Sequence, residues 1–225
     1  MKKFTVLAVG ALLLAGITTS ANALSIRLVS GSDSMTLSDN SLGDINPTTG
    51  AVTFIGSVGD FVFNVSTGIS KPVLGSASNP FMDLVSVDIS SNNASPASLQ
   101  IFLTDTNFTA SVPGFKADIG GTTMGTVKYK TYLDSGNNPF GTSTLLTDAT
   151  YQTGPFSGSA ASGLLSLSGL YSLTQEIDIT HAYAGVTSFD AAIAPVPEPG
   201  TMVLLGVGLL GLAIYGKRRM NRTDP

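Results

Sequence analysis

Short segments in which apolar and polar residues alternate fill most of the chain after residue 24. A period of two predicts half-buried β-strands, because successive side chains of a strand point to opposite faces of its sheet. The clearest segments are residues 26–28, 52–55, 61–65, 85–89, 99–103, 127–132, 170–181 and 187–193. The sequence between them carries no sustained apolar stripe at helical spacing, so the pattern predicts an all-β fold.

Turn-forming residues separate these segments. Gly and Asn tolerate positive φ and Pro cannot donate to a sheet hydrogen bond, so clusters of them predict turns. The predicted turns are Asn46-Pro47, Ser78-Asn79-Pro80, Ser91-Asn92-Asn93, Gly120-Gly121, residues 135–139, a hairpin turn at 56–59 and a turn at 184–185. Many short strands joined in this way favour an antiparallel β-sandwich, with jelly-roll and immunoglobulin-like topologies both open. Residues 142–168 are loosely patterned and predict long loops or weak edge strands.

The segment 170–181 has the cleanest alternation. Its two faces consist of Leu173, Ile177 and Ile179, and of Thr174, Glu176, Asp178 and Thr180. Glu176 and Asp178 lie roughly 7 Å apart on one face, a spacing from which two carboxylates can flank a cation or a glycosidic bond. A solvated strand face is the ordinary alternative. His181 continues the apolar face, where it is a buried structural histidine, a metal ligand or a general base.

The first twenty-three residues predict a secretory signal peptide. Met1-Lys2-Lys3 is positively charged, residues 4–17 are apolar, and Ala21-Asn22-Ala23 is a small-residue cleavage site. Ala21 and Ala23 are the residues that signal peptidase would recognise. The mature body is therefore predicted to begin at Leu24 and to extend to residue 194.

The last thirty-one residues have three parts. Residues 195–200 contain three prolines, residues 201–216 are apolar, and Lys217, Arg218 and Arg219 open a basic tail, 217–225. The apolar part predicts a single transmembrane helix, marginal in length because sixteen residues rise about 24 Å against a hydrocarbon core of roughly 30 Å. The positive-inside rule places the basic residues in the cytoplasm and the body outside it.

Composition narrows the chemistry of the body. Residues 24–194 contain five basic and thirteen acidic residues, a formal charge of −8. Nucleic acid is excluded as a partner, because phosphate binding requires clustered Lys and Arg. The chain has no Cys, so disulfides, thiolate nucleophiles and zinc–thiolate sites are excluded as well.

Carboxylates and amides in predicted loops are the remaining candidates for a ligand site. They are Asp33, Asp39, Asn40, Asp44, Asp105 and Asn107. Their oxygens suit Ca²⁺, but none lies in a D-x-[DN]-x-[DN]-G loop, and Asp and Asn are ordinary turn formers. His181 has no identifiable partner, and no serine lies in a G-x-S-x-G elbow. We therefore predict no metal, no cofactor and no catalytic residue, and the chain is not expected to be an enzyme.

The C-terminal sequence resembles the tripartite sorting signal of PEP-CTERM domain proteins. The resemblance rests on Val196-Pro197-Glu198-Pro199, the apolar run and Lys217-Arg218-Arg219, in that order. It implies export by the general secretory route and a transient tether in the inner membrane. It also implies processing at or near Pro197-Glu198-Pro199 by an exosortase-type enzyme. Such proteins occur in Gram-negative bacteria that make exopolysaccharide and biofilm matrix.

Two functions are consistent with this sequence. The first is a non-enzymatic component of the cell surface or extracellular matrix, structural or adhesive, with exopolysaccharide as a partner. The second is a carbohydrate-binding or carbohydrate-active sandwich, with or without Ca²⁺, that contacts sugar through Tyr129, Tyr132, Tyr151 or Tyr171.

Overall fold

The computed structural model describes residues 24–93, 95–197 and 199–220. The predicted signal peptide, with Ala21 and Ala23, lies outside the described residues, as do Glu198 of the sorting motif and residues 221–225.

The described chain consists of β-strands followed by one helix. The strands are β1 (Ser25–Ser30), β2 (Asp33–Ser38), β3 (Ala51–Val58), β4 (Phe61–Ile69), β5 (Gly75–Ser76), β6 (Asn79–Pro80), β7 (Met82–Ser91), β8 (Ala97–Phe108), β9 (Phe115–Thr123), β10 (Thr126–Asp134), β11 (Thr144–Tyr151), β12 (Gly154–Ala161), β13 (Tyr171–His181) and β14 (Gly185–Pro195). The helix is α1 (Pro199–Met220). The all-β prediction for the body is confirmed.

Two six-stranded antiparallel sheets form the sandwich. Sheet A has the order β11-β10-β13-β8-β1-β2, and sheet B has the order β12-β9-β14-β7-β4-β3. Strands β7 to β14 have jelly-roll connectivity, because they form four nested antiparallel pairs, β7–β14, β8–β13, β9–β12 and β10–β11, which alternate between the two sheets. Strands β1 to β4 extend both sheets at one edge. Of the two topologies that the sequence left open, this is the jelly roll.

The core is the space between the two sheets. Inward side chains of sheet A, such as Ile101 and Ile177, are completely buried against those of sheet B, such as Phe63 and Ile193. Each buried side chain of this size stabilises the fold by about 1.5–3 kcal/mol through removal of apolar surface from water. The alternation seen in the sequence is therefore the alternation between this core and the two outer faces.

Two predicted turns are wrong. Gly120 and Gly121 lie inside β9, and residues 56–58 lie inside β3, with the turn at 59–60. A Cβ at Gly121 would lie 2.2 Å from the carbonyl oxygen of Ser188 on the neighbouring strand. Glycine is required there by the close approach of β14. Such a close approach, like a turn, is a common reason for glycine in a sheet. The loosely patterned segment 142–168 contains β11 and β12, which are the outer strands of the two sheets, as the edge-strand alternative predicted.

The strand connections differ in length between the two ends of the sandwich. The long ones are residues 39–50, 70–81, 109–114, 135–143 and 162–170. Because the strands are antiparallel, all of these lie at one end, which we call the loop end. Tight turns such as 31–32, 59–60, 124–125 and 152–153 lie at the opposite end, which we call the turn end.

Candidate functional site

The outer face of sheet A carries the predicted carboxylate pair, Glu176 and Asp178. Strand register places Arg27, Phe102, Glu176, Lys130 and Asp148 in one row across β1, β8, β13, β10 and β11. We call this row and the outward residues beside it the polar face. Cross-strand neighbours at such positions are close enough to interact directly.

Lys130 is the centre of the polar face. Its Nζ donates to Glu176 Oε1 at 2.8 Å and to Asp178 Oδ2 at 2.7 Å. The side chains of Lys130 and Glu176 are only 17% and 8% exposed. Burial alone would lower the pKa of Lys130, but its hydrogen bonds to the two carboxylates raise that pKa well above its ordinary value. The ammonium group is therefore permanently charged and bridges both acids.

This bridge changes the interpretation of the predicted carboxylate pair. Glu176 and Asp178 do share one outward face, as the alternation predicted. However, Lys130 lies between them, and Gln100 Nε2 donates to Asp178 at 2.9 Å. The pair is thus neither a solvated strand face nor an open cation site, since the Lys130 ammonium group occupies the space between the two carboxylates and compensates one of their two charges. Burial, followed by a hydrogen bond to Glu176, also raises the pKa of Tyr132 to about 12.

An arginine between two aromatic rings forms the other half of the polar face. The guanidinium carbon of Arg27 lies 4.5 Å from the ring centre of Phe102 and 4.4 Å from that of Phe140. Cation–π contacts of this kind contribute about 0.5–2 kcal/mol each. Among the described residues, Arg27 Nε is buried without a hydrogen-bond partner. Sequence reasoning missed this cluster, because Phe140 comes from a loop distant in sequence from β1.

Hydrogen bonds fold the loop 135–143 so that Phe140 lies against this arginine. Asn138 donates to Asp134 Oδ2 through its backbone N at 2.9 Å and its Nδ2 at 2.8 Å. Ser172 Oγ donates to the Asn138 carbonyl at 2.7 Å. Phe140 has φ of 56° and its N donates to Thr104 Oγ1 at 3.0 Å. A non-glycine residue in the left-handed region costs about 1 kcal/mol or more, so this loop conformation is maintained by its contacts.

A shallow depression of about 350 Å³ lies beside the row, towards the turn end. Its lining includes Val29, Ser98, Gln100, Asp178 and Thr180. An aliphatic patch surrounded by an amide, hydroxyls and a carboxylate can form both apolar and hydrogen-bonded contacts with a polar ligand the size of a sugar unit. This depression is the part of the polar face that is open to a ligand.

The predicted options for His181 reduce to one. The ring is completely buried, its Nδ1 is 2.9 Å from Ser91 Oγ, and its Nε2 is 2.8 Å from Thr187 Oγ1. Burial lowers the pKa of His181, so the neutral form is favoured. The histidine is a hydrogen-bonded core residue that joins β13 to sheet B.

Only one of the four tyrosines proposed for sugar contact lies on the polar face. Tyr129 and Tyr171 are buried, and their hydroxyls donate to Gln175 Oε1 at 2.6 Å and to the Ala110 carbonyl at 3.0 Å. Tyr151 stacks on Phe156 with ring centres 4.9 Å apart, between the outer strands of the two sheets. Tyr132, next to Glu176, is the remaining candidate for ligand contact.

The loop carboxylates act in turn chemistry and packing. Asp39 accepts from Gly50 N at 2.8 Å, and Asp44 Oδ1 accepts from the backbone N of Asn46 and Thr53, each at 2.9 Å. Asp105 is buried and pairs with Lys71 at 2.7 Å. Asn107 exchanges hydrogen bonds with Asn137 across the loop end, and Asp33 is exposed at the start of β2. In the part of the chain that the structure describes, no cluster of three or more His, Asp or Glu is arranged to hold a metal ion.

The outer face of sheet B has a broader groove, of about 690 Å³. Small residues of β9 and β12 form its floor, and Asp118 and Asp190 lie at its sides. Asp83, next to Asp190, has its pKa raised to about 6 by burial and then by the negative charge of that neighbour. Hydrogen bonds from Lys116 and Ser159 lower the pKa of Asp118. The groove is acidic, and no local pattern in the sequence predicts it, because its lining residues come from three strands, β9, β12 and β14.

The C-terminal sorting segment is joined directly to the sandwich. Pro195 is the last residue of β14, and Val196 N still donates to the Gly114 carbonyl at 2.9 Å. Pro197 is exposed, and the helix begins at Pro199. The helix therefore begins two residues before the predicted apolar run at 201–216, because proline is well tolerated in the first helical turn.

The helix contains the predicted apolar run, and Lys217 and Arg218 are exposed in its last turns. The backbone of Arg219 is helical as well. Among the described residues, no helix is both long and apolar enough to cross a membrane. The predicted transmembrane span at 201–216 is therefore not supported, in line with its rise of about 24 Å, which is shorter than a hydrocarbon core.

Solved structures that resemble this chain do so weakly, in sequence and in superposition. The chain is 10% identical to the enzymatically active domain of tailspike protein 4 from bacteriophage CBA120, with a TM-score of 0.36, covering 78% of this chain and 20% of that one. It thus spans about a fifth of the tailspike domain. The PA14 domain of an antifreeze protein is 12% identical, with a TM-score of 0.33 and coverage of 79% and 84%. The N-terminal cellulose-binding domain of Cellulomonas fimi β-1,4-glucanase C is 11% identical, with a TM-score of 0.33 and coverage of 70% and 95%. Scores this low carry no inference about function.

No curated protein sequence is significantly similar to this one. The family comparison is specific at the C-terminus, where the PEP-CTERM protein-sorting motif matches residues 195–219. These residues include the exposed Pro197, the apolar helix and the basic residues at its end. The chain is therefore a protein with a PEP-CTERM sorting motif.

Proposed function

We propose that this protein is exported and that an exosortase-type enzyme recognises and removes the segment that begins near Pro197. The released sandwich then acts as a non-enzymatic component of the cell envelope or extracellular matrix of a Gram-negative bacterium. The observation that carries this proposal is the matched sorting motif at residues 195–219, attached to a separately folded body. During export, the apolar helix associates transiently with the inner membrane.

The internal chemistry of the body supports a structural or adhesive role. The residues that the sequence offered for acid–base chemistry are engaged: Glu176 and Asp178 bind Lys130, and His181 is buried and hydrogen-bonded on both ring nitrogens. A general acid or base must reach a substrate proton within hydrogen-bond distance. These side chains hold strands together instead.

Processing can be tested by changing the motif. In cells that make the exosortase, replacement of Pro197, Glu198 and Pro199 by alanine should leave a larger, membrane-retained species, measured by fractionation and mass spectrometry of a tagged protein. A matched control replaces the exposed Pro47 and Pro155 by alanine and should be processed normally. Unchanged size and location of the motif variant would refute the proposal.

A second candidate function is carbohydrate binding on the polar face, with exopolysaccharide as the ligand. The specific observation is the depression lined by Val29, Gln100 and Asp178, on the turn-end side of the row that contains Arg27 and Lys130. Glycan pull-down with purified protein tests it, with Gln100→Ala expected to weaken binding at least fivefold. Thr122→Ala, an exposed change on the outer face of sheet B, is the control. Binding that needs Ca²⁺, shown by adding chelator, would assign a metal-dependent site, and no binding to any glycan would remove this candidate.

A further inference from the structure

Both ends of the body emerge at the loop end of the sandwich. Leu24 is buried there, and its carbonyl accepts from Asp39 N at 3.0 Å. At the other terminus, Val196 is hydrogen-bonded to Gly114 in the connection 109–114. The helix begins three residues later, at Pro199. Three residues span at most about 11 Å, so any surface that receives the start of the helix also faces the loop end.

The loop end is almost free of exposed charge, although the body as a whole is acidic. The charged residues in its five connections are Asp39, Asp44 and Lys71. Asp39 is buried, Asp44 is half-buried with both carboxylate oxygens accepting backbone N–H groups, and Lys71 is paired with Asp105. The exposed carboxylates described above lie on the outer faces of the sheets and at the turn end. Charge therefore does not oppose an approach of the loop end to a lipid surface.

The same end carries large exposed apolar side chains. Leu42 is completely exposed and Leu164 is 92% exposed, and both lie in loop-end connections. Ile45, Val73 and Leu170 add further exposed apolar surface in the connections 39–50, 70–81 and 162–170. Isolated exposed leucines are ordinary, but several of them on an uncharged end mark an interaction site.

We propose that the loop end is a lipid-contact surface, with Leu42 and Leu164 inserting into the interface of the phospholipid bilayer to which the sorting helix is directed. This inference rests on the proposed function, since the sorting segment brings the body to the membrane. Contacts from the body would add to the attachment that the apolar helix gives the precursor. Removal of the sorting segment then leaves the weaker loop-end contact alone, which favours release.

The absence of tryptophan from the chain allows a site-specific test. Single reporters are placed in the full chain by Leu164→Trp at the loop end and by Tyr183→Trp at the turn end, where Tyr183 is 74% exposed. On addition of vesicles of phosphatidylethanolamine and phosphatidylglycerol, emission of the first variant should shift to the blue and become protected from acrylamide. Emission of the second should not change. A shift in neither variant, or an equal shift in both, would overturn the proposal.

A partition measurement gives the contribution of Leu42 and Leu164 to vesicle binding. The double substitution Leu42→Ser and Leu164→Ser should lower the vesicle partition coefficient at least about tenfold, because burial of one leucine is sufficient for that factor. The control, Met124→Ser with Tyr183→Ser, removes comparable apolar surface at the turn end and should have little effect. Unchanged partition with impaired processing in cells would assign this surface to a protein partner and overturn the lipid proposal. Processing that does not depend on the motif would instead refute the proposed function, and the vesicle result would be unaffected.

Discussion

The ion pairs of Lys130 provide the most direct test of the polar face. Replacement of Lys130 by Met leaves Glu176, whose side chain is 8% exposed, and Asp178 without their shared counter-charge. Loss of one partner of a fully buried pair costs about 3–5 kcal/mol. Since Lys130 is 17% exposed, we expect a smaller loss in the free energy of unfolding, about 2–3 kcal/mol at pH 7, or a decrease in Tm of about 5–10 °C.

Urea denaturation followed by circular dichroism measures this loss, and the same strand supplies the control. Lys128 pairs with Asp148 at 3.1 Å, with both side chains more than a third exposed, so Lys128→Met should cost less than about 1 kcal/mol. The variant that combines Lys130→Met with Glu176→Gln and Asp178→Asn should recover much of the stability, because no buried charge is left unpaired. Equal losses for Lys130→Met and Lys128→Met would refute the interpretation of Lys130 as a buried bridge.

Three further predictions concern pH and packing. His181 has a lowered pKa in the folded state, so on acidification the unfolded chain binds the proton first, and the free energy of unfolding should fall as the pH drops below about 6.5. In His181→Asn this dependence on pH should be absent, as measured by urea titrations at several pH values. Asp83 changes stability with pH in the opposite direction. Its folded pKa of about 6 exceeds the unfolded value of 3.8, so its contribution to the free energy of unfolding is lost as the pH rises. Asp83→Asn removes the repulsion from Asp190 and should therefore raise Tm at pH 7. The corresponding gain in the free energy of unfolding should be less than about 1 kcal/mol after solvent screening, and it should vanish below pH 4. Gly121→Ala should cost about 1–3 kcal/mol, since its Cβ would meet a backbone oxygen at 2.2 Å, whereas Gly163→Ala, with open space around it, should be neutral in thermal melts.

The sequence predicted the strands that face the core, because alternation is a local consequence of the pleat. The segments 61–65, 99–103 and 127–132 all lie within observed strands, and Ile177 and Ile179 are buried as predicted. The prediction was wrong at Gly121, where glycine is required by the close approach of a neighbouring strand. The local sequence pattern does not indicate which other backbone lies beside a residue.

The sequence by itself also determined the sorting segment, because a proline-rich motif, an apolar run and basic residues act in linear order and require no tertiary contacts. Only the tertiary structure decided the role of the candidate side chains. Lys130 bridges Glu176 and Asp178 across neighbouring strands, and Phe140 reaches Arg27 from a remote loop. Likewise, the long connections and both ends of the body lie at one end of the sandwich because of the order of strands in the two sheets. That order depends on long-range strand pairing, which the alternation of apolar and polar residues along one strand does not reveal.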